Sequence, residues 1–437
     1  MYFVGIDIGT SSVCGVVYNK VTNELFSLTR ENDAAMVSAC GWEKMQDTDR
    51  IIGIVTDILN SFLSKYPDIK GIGITGQMHG MLYVDAGGSA VSPLYTWQDG
   101  RGNCIFKEGK TYAGYLSERS GYPLASGYGL VTHFYNKENG LVPDSAVKLC
   151  TIMDYAVMWL SGRKAPLIDY TNGASLGLFD LKSLGFDFCA LEAAGIDCSV
   201  LPELAESATL AGYFSGIPVY SAIGDNQAAF LGSVSDTEKS VHVTVGTSSQ
   251  LSVYSKNFIK TDNLDTRPFP GGGYLLVGAA LCGGQSFRIL KTFFENTLRL
   301  FGGKSAANDI NLYDVMTAVD FEELSDNRPV VDTLFDGSRT DPVRRGAISN
   351  ISVSNLTPEN LVLGFVEGIA RELYGFYEQI PEAIIAEKKL LVGSGNGVRK
   401  NSLLRKAFEK QFGYPLTVSQ CEEEAAFGAA LCAVRQG

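Results

Sequence analysis

The 437-residue sequence is poor in the groups that build metal centres. It has three histidines, His79, His133 and His242, each far in sequence from any cysteine. Its nine cysteines, spread from Cys14 to Cys432, include no Cys-x-x-Cys pair. That pattern argues against a zinc site. An odd number of widely spaced cysteines fits reduced, mostly buried thiols and a cytoplasmic setting. Basic charge is also in deficit, with 36 Lys and Arg against 48 Asp and Glu, a formal charge of −12. A nucleic acid or an anionic membrane surface needs basic patches, so neither is expected as a partner. Low-complexity tracts are missing. So is any apolar run of the ~18 residues that a membrane span needs. The apolar start Tyr2–Ile8 has no basic residues before it and is too short to read as a secretory signal.

What is present is an ordinary globular composition, 45% hydrophobic and 19% charged. Single cores stop growing near ~250–300 residues, so this length implies more than one domain. An internal echo supports that. Residues 4–18 read VGIDIGTSSVCGVVY and residues 241–254 read VHVTVGTSSQLSVY. Each is an alternating apolar run, a Gly-Thr-Ser-Ser turn and a second alternating run, the pattern of a β-hairpin. The copies lie more than half the chain apart, which suggests two related domains, 1–232 and 233–437.

Around the hairpins the pattern is mixed α/β. Strands are expected at Ile69–Thr75, Val147–Ile152, Val219–Ile223, Tyr274–Val277 and Lys389–Val392. Helices are expected at Asp49–Lys65, Asp154–Leu160, Asn226–Gly232, Ser286–Phe294, Pro358–Gln379 and Asn401–Gln411.

Several segments carry groups suited to chemistry, and each also has a plainer reading. Asp7 followed by Gly9-Thr10-Ser11-Ser12 could cradle phosphate oxygens while the carboxylate serves Mg²⁺, directly or through water. It could equally be a polar hairpin turn. Two copies favour the cradle, and Thr244 stands where the second copy would need an Asp. Asp225, in Gly224-Asp225-Asn226-Gln227, ends an apolar strand and opens a helix, as either a catalytic carboxylate or a helix cap. Gln77, Met78 and His79 follow a strand, and Trp97, Asp99 and Arg101 lie in a loop-like stretch. Amides, carboxylates and an indole face suit a polyol; His79 alone reads equally well as a hydrogen-bonded loop residue. Gly283-Gly284 and Gly393-Ser394-Gly395-Asn396 are glycine turns, the latter in a strand–turn–helix context that fits a nucleotide.

Taken in order, these segments resemble the FGGY carbohydrate kinases of the actin-like, ribonuclease H-like ATPase superfamily. The carriers are DIGTSS at 7–12, GQMHG at 76–80, TWQDGR at 96–101, IMDYAVMWLSG at 152–162 and DYTNGASLGLFD at 169–180. They continue with GDNQ at 224–227, VGTSSQL at 245–251, CGG at 282–284, GSRTDP at 337–342, GSGNGVRKN at 393–401 and EEAAFGAALCA at 423–433. The stretch between Gly284 and Pro329 is shorter than the family usually has.

The resemblance implies two ribonuclease H-like α/β domains flanking a catalytic cleft, and ATP-dependent phosphorylation of a small ketose. Gln77, Met78, His79, Trp97, Asp99, Arg101 and Asn226 would hold the sugar. Thr10, Ser11, Ser12, Gly246, Thr247 and Ser248 would hold the phosphates of ATP, and Gly284, Gly395, Asn396 and Asn401 the nucleoside. Asp7 would organise Mg²⁺ and Asp225 would act as the base. Within the family, TWQDGR, the Gly-Tyr-Gly at 127–129 followed by Thr132, and the GSG before Asn396 resemble members acting on sedoheptulose more than those acting on xylulose. A homodimer stays open. Two rival classes are a non-catalytic sugar sensor, which predicts damage at Asp225 or the turns, and a protein-directed ATPase, which would lack the polyol cluster.

Overall fold

The computed structural model describes residues 1–437 apart from 304, 306, 307, 309, 322–326, 339, 340, 342, 436 and 437. Part of the GSRTDP segment, at 339, 340 and 342, therefore lies outside the described residues. The chain forms two α/β units. The first comprises residues 1–232, 267–273 and those from Glu423 onward; the second comprises 233–266 and 274–422.

The first unit is built on strands β1 (Tyr2–Ile8), β2 (Ser12–Asn19), β3 (Leu25–Glu31), β4 (Met45–Gln46) and β5 (Ile69–Gly76), with further strands at Leu210–Phe214, Ile217–Tyr220 and Ile223–Gly224. The main sheet runs 210–214, 217–220, β5, β1, β2, β3, with 223–224 also paired to β5. β1 and β2 form the antiparallel hairpin read from the sequence, and β5 runs parallel to β1. A parallel neighbour needs a crossover, and the helix Thr48–Lys65 supplies it. Asp47 caps that helix by accepting from Arg50 N at 3.1 Å. Its apolar stripe, Ile51, Ile54, Val55, Ile58, Leu59 and Phe62, is buried against the sheet. Each such side chain contributes roughly 1.5–3 kcal/mol.

The second unit repeats this plan. Its sheet runs 274–280, 249–255, 240–245, 390–394, 416–418. The hairpin Ser240–Val245/Ser249–Ser255 is antiparallel, and Leu390–Ser394 runs parallel beside it. The helix Pro358–Tyr377 begins with Thr357 as its cap and proline in the first turn.

One sequence expectation changes. The strand expected at Val147–Ile152 stops at Cys150, because Thr151 and Asp154 form a reciprocal capping box that starts a helix at Ile152. By its contacts the C-terminal helix Glu424–Val434 packs with the first unit. Its small residues explain this. A Cβ on Gly5 of β1 would lie 1.8 Å from the Ala426 carbonyl oxygen, and one on Gly73 of β5 would lie 2.0 Å from that of Ala429. Helix and sheet backbones touch, which larger residues would forbid.

Candidate active site

Two carboxylates stand at the carboxyl ends of parallel strands. Asp7 is level with Thr75 of β5, and Ile223–Gly224 pairs with Thr75–Gly76 on the other side of β5. Asp225 follows as the first residue of the helix Asp225–Ser233. It is therefore helical rather than the residue before the helix. Carboxyl ends of parallel strands are where open α/β sheets bind ligands. Burial pushes the Asp7 carboxyl up to about 7, and the negative charges of Asp225 and then Glu423 add to the rise. Burial likewise pushes Asp225 up to about 6, opposed by the Arg267 guanidinium and by a hydrogen bond from the Asn226 backbone N–H. A carboxylate raised this way is a stronger base than an ordinary one.

The turn after Asp7 is tied down on one side. Gly9 O accepts from Asn32 Nδ2 at 2.8 Å, Thr10 O from Gln46 Nε2 at 2.8 Å, and Ser11 O from Asn32 N at 3.0 Å. These bonds engage the turn's carbonyls and leave the N–H groups of Thr10, Ser11 and Ser12 as candidate donors to an anion.

The residues expected at the sugar divide into two groups. Gln77, Met78, His79 and Trp97 gather beside the turn. Trp97 Nε1 donates to Thr10 Oγ1 at 3.0 Å, and Thr10 Oγ1 donates to Gln77 Oε1 at 3.3 Å. Trp97 is 46% exposed, leaving an indole face to solvent. Met78 is buried against Gly224, immediately before Asp225. His79 has φ +73°, its ring stacks on Tyr128 at 4.6 Å, and its Nδ1 lies 2.8 Å from Ser175 O. A carbonyl only accepts, so Nδ1 carries a proton. Asn226 sits next to Asp225 on the same helix.

Asp99 and Arg101 behave differently. Both are fully buried, at 1% and 2% exposure. Arg101 grips Asp99 through Nε at 2.6 Å and Nη2 at 3.2 Å, and the Lys44 and Arg101 backbone N–H groups also donate to that carboxylate. The guanidinium lies over the Tyr95 ring at 4.1 Å and donates onward to Asn136 Oδ1. In place of the expected sugar contact, the pair is spent internally and fixes the loop that carries Trp97.

In the second unit, Gly246, Thr247 and Ser248 form an exposed turn whose carbonyls are taken up by the next helix. Gly284 N donates to Gly246 O at 2.9 Å, and Gly283 N and Gln285 N both donate to Thr247 O at 3.0 Å. Gly395 has φ +79°, and a Cβ there would meet Val245 O at 2.6 Å, so glycine is required at this close approach. Asn396 is exposed beside it. Asn401 is buried and accepts from Leu404 N at 3.2 Å, which makes it the cap of the helix Ser402–Phe412 rather than a residue presented to a nucleoside.

Among the described residues, no three His, Cys, Asp or Glu side chains form a direct metal cage. The charges of Asp225 and Glu423 nevertheless raise the cost of ionising Asp7, and a divalent cation would relieve it. Mg²⁺ keeps several waters and commonly takes one or two carboxylates plus phosphate oxygens. The residues present fit that mode.

Comparison with known proteins agrees with this geometry. Residues 2–232 match the model of the FGGY family of carbohydrate kinases, N-terminal domain, and residues 241–437 match that of its C-terminal domain. The chain belongs to the FGGY family of carbohydrate kinases. It is a sugar kinase. Sedoheptulokinase of Mus musculus is 29% identical over 98% of this kinase and 96% of the relative, and that of Homo sapiens 27% over 99% and 97%. The xylulose kinase structure from Rhodospirillum rubrum superposes with a TM-score of 0.82 at 18% identity, covering 100% of this kinase and 90% of that chain. Plasmodium falciparum glycerol kinase with ADP gives 0.81 at 19% identity, covering 100% and 89%. The two α/β units thus share the actin-like ATPase fold of these kinases.

The structure of this carbohydrate kinase also brings in residues that the motifs did not flag, Asn32, Gln46 and Arg267, together with Glu423, which opens the EEAAFGAALCA segment but was given no role there. Glu423 reaches the hairpin through Thr29, whose hydroxyl donates to Glu423 Oε1 at 3.2 Å beside Cys14. Asn32, Gln46 and Arg267 fall in no turn or strand-end pattern that sequence reading weights.

Proposed function

We propose that this kinase transfers the γ-phosphate of ATP to a primary hydroxyl of a small ketose, sedoheptulose first and D-xylulose next. The observation that carries the reading is Asp225. It is a buried carboxylate pushed up to about 6, one residue beyond a strand end and close enough to Asp7 for its charge to raise that carboxyl. Asp225 takes the proton of the attacking hydroxyl. Phosphoryl transfer passes through a loose, in-line transition state, so positioning and charge stabilisation do most of the work. The N–H groups of Thr10–Ser12 take phosphate oxygens, and Gly246–Ser248 with Gly284, Gly395 and Asn396 serve the nucleotide. Asp7 would hold Mg²⁺ through water, and the ion would neutralise charge on the phosphate oxygens.

Gln77, His79 and Trp97 bind and orient the sugar. Sedoheptulose is preferred because relatives of that name align along nearly the whole chain, in mouse and human. Xylulose stands second because xylulose kinases of Staphylococcus xylosus and Lactococcus lactis are 24% and 25% identical, over 99% and 68% of this chain. ATP is favoured by the family and by the ADP in the Plasmodium glycerol kinase structure. A cytoplasmic setting is favoured by nine cysteines of which none is in a disulfide among the described residues. No described helix is long and apolar enough to cross a membrane.

A ketose panel in a coupled ADP-release assay tests the reading. Turnover with sedoheptulose above that with D-xylulose supports it. A clear preference for D-xylulose replaces the sugar, and no turnover with any ketose removes the ketose assignment.

A further inference from the structure

We propose that Gln46 is a positioning residue that couples ketose binding to the phosphate turn at Gly9–Ser12. Its side-chain amide is used at both ends. Gln46 Oε1 accepts from Gln77 Nε2 at 2.8 Å, while Gln46 Nε2 donates to Thr10 O at 2.8 Å. Thr10 closes the ring, since its hydroxyl donates to Gln77 Oε1 at 3.3 Å and accepts from Trp97 Nε1 at 3.0 Å. Gln46 and Gln77 are each only 4% exposed, so water does not substitute for these bonds. A buried polar ring of this kind is strong when complete and costly when broken.

The backbone around Gln46 extends the link. β4 pairs antiparallel with Leu94–Tyr95, directly before the Trp97 loop. Thr96 N donates to Lys44 O at 3.0 Å, Lys44 N to Asp99 Oδ2 at 3.0 Å, and Gly100 N to Trp42 O at 2.8 Å. The segment Trp42–Gln46 is thus a strap. It holds the loop at three points, and through the Gln46 side chain it holds the phosphate turn at a fourth. Asn32 ties the same turn from elsewhere, through bonds with Gly9, Ser11 and Ala34. A sugar that settles Gln77 and Trp97 therefore settles Thr10, and a phosphate that settles Thr10 returns the effect. Coupling between two binding events is reciprocal by thermodynamic necessity.

The inference rests on reading Gln77 and Trp97 as ketose contacts and the turn as the phosphate cradle. Its test is the affinity of a non-hydrolysable ATP analogue with Mg²⁺, measured by calorimetry with and without saturating ketose. Sedoheptulose and D-xylulose are both used, so an error in the sugar shows as which one binds, not as lost coupling. In the native kinase the ketose should tighten the analogue by ~5–150-fold, the usual range for coupled sites, and in Gln46→Met the ratio should fall to within ~2-fold of unity. Asn32→Ala should weaken the analogue but keep the ratio, a split that a merely structural role for Gln46 would not give. Gln46→Glu, which keeps the acceptor for Gln77 and loses the amide donor to Thr10, is the second variant should Gln46→Met fail to fold, and it should lose the ratio too. An unchanged ratio in either folded Gln46 variant overturns the proposal. So does a native kinase that binds a ketose without any effect on the analogue.

Discussion

The two hairpins have the same frame and opposite chemistry. In the first unit, Asp7 of β1 is level with Thr75 on the parallel strand and with Cys14 on the antiparallel one. In the second unit, Thr244 is level with Ser394 and Gln250 in the same two directions. The first position is a carboxylate whose charge meets Asp225 and Glu423. The second is a neutral knot, with His242 Nε2 2.8 Å from Ser394 Oγ and Thr244 Oγ1 2.9 Å from the same oxygen. Burial pushes His242 down to about 4, so it is uncharged at neutral pH. A repeated strand plan thus frames two similar turns, and residue choice at one register places a buried carboxylate beside only the first.

The largest effect should come from emptying the charged side. Asp225→Asn should lower kcat by ~10²–10⁴-fold with little change in KM, the loss expected for a general base. Steady-state kinetics on the folded variant check this. Near-native turnover would leave the first hairpin with a turn and no base.

Breaking the neutral knot should have a smaller and different consequence. His242→Leu removes the imidazole from Ser394 and should cost about 1–3 kcal/mol of stability, read by denaturant unfolding. It should leave kcat largely intact, because the knot braces the strand end before Gly395 and touches no reacting group.

The smallest effect is a pair of opposed pH slopes. Asp7 has a folded value of about 7 against 3.8 unfolded, so between those values the native state binds more protons and stability falls as pH rises. His242 has a folded value of about 4 against 6.5 unfolded, so in that window the unfolded state binds more protons and stability rises with pH. Without Mg²⁺, Asp7→Asn should therefore gain on the native kinase as pH goes from about 4 to about 7. The native kinase should lose its advantage over His242→Leu as pH falls from 6.5 to about 4. Thermal melts across that range read both; parallel curves for all three proteins would deny the contrast.

The hairpins, the crossover helix and the strand-to-helix step at Asp225 were legible because each is encoded locally, by alternation, by helical spacing or by a cap. What was not legible depends on distant chain meeting distant chain. Gln46 lies on a two-residue strand that has no periodicity of its own, and its partners Thr10 and Gln77 are set by β1 and β5. Asp99 and Arg101 read as ligand groups by type, yet their spacing of two lets them close on each other once Tyr95 and Asn136 exclude water. Asn401 is the reverse case: an asparagine ahead of a helical period is a cap signal, and the structure uses it as one. The Ala- and Gly-rich C-terminal helix gave only a resemblance; its backbone contact with Gly5 and Gly73 is what assigns it to the first unit.

The most direct test of the contrast is a Mg²⁺ titration of activity in two variants, Asp7→Asn and Thr244→Val. A carboxylate that orders metal-bound water typically governs 10–100-fold in metal affinity or activity, so Asp7→Asn should shift or depress the Mg²⁺ curve by ~10-fold or more while Thr244→Val leaves it near native. Matching titrations for the two variants would contradict the assignment of metal chemistry to the first hairpin alone.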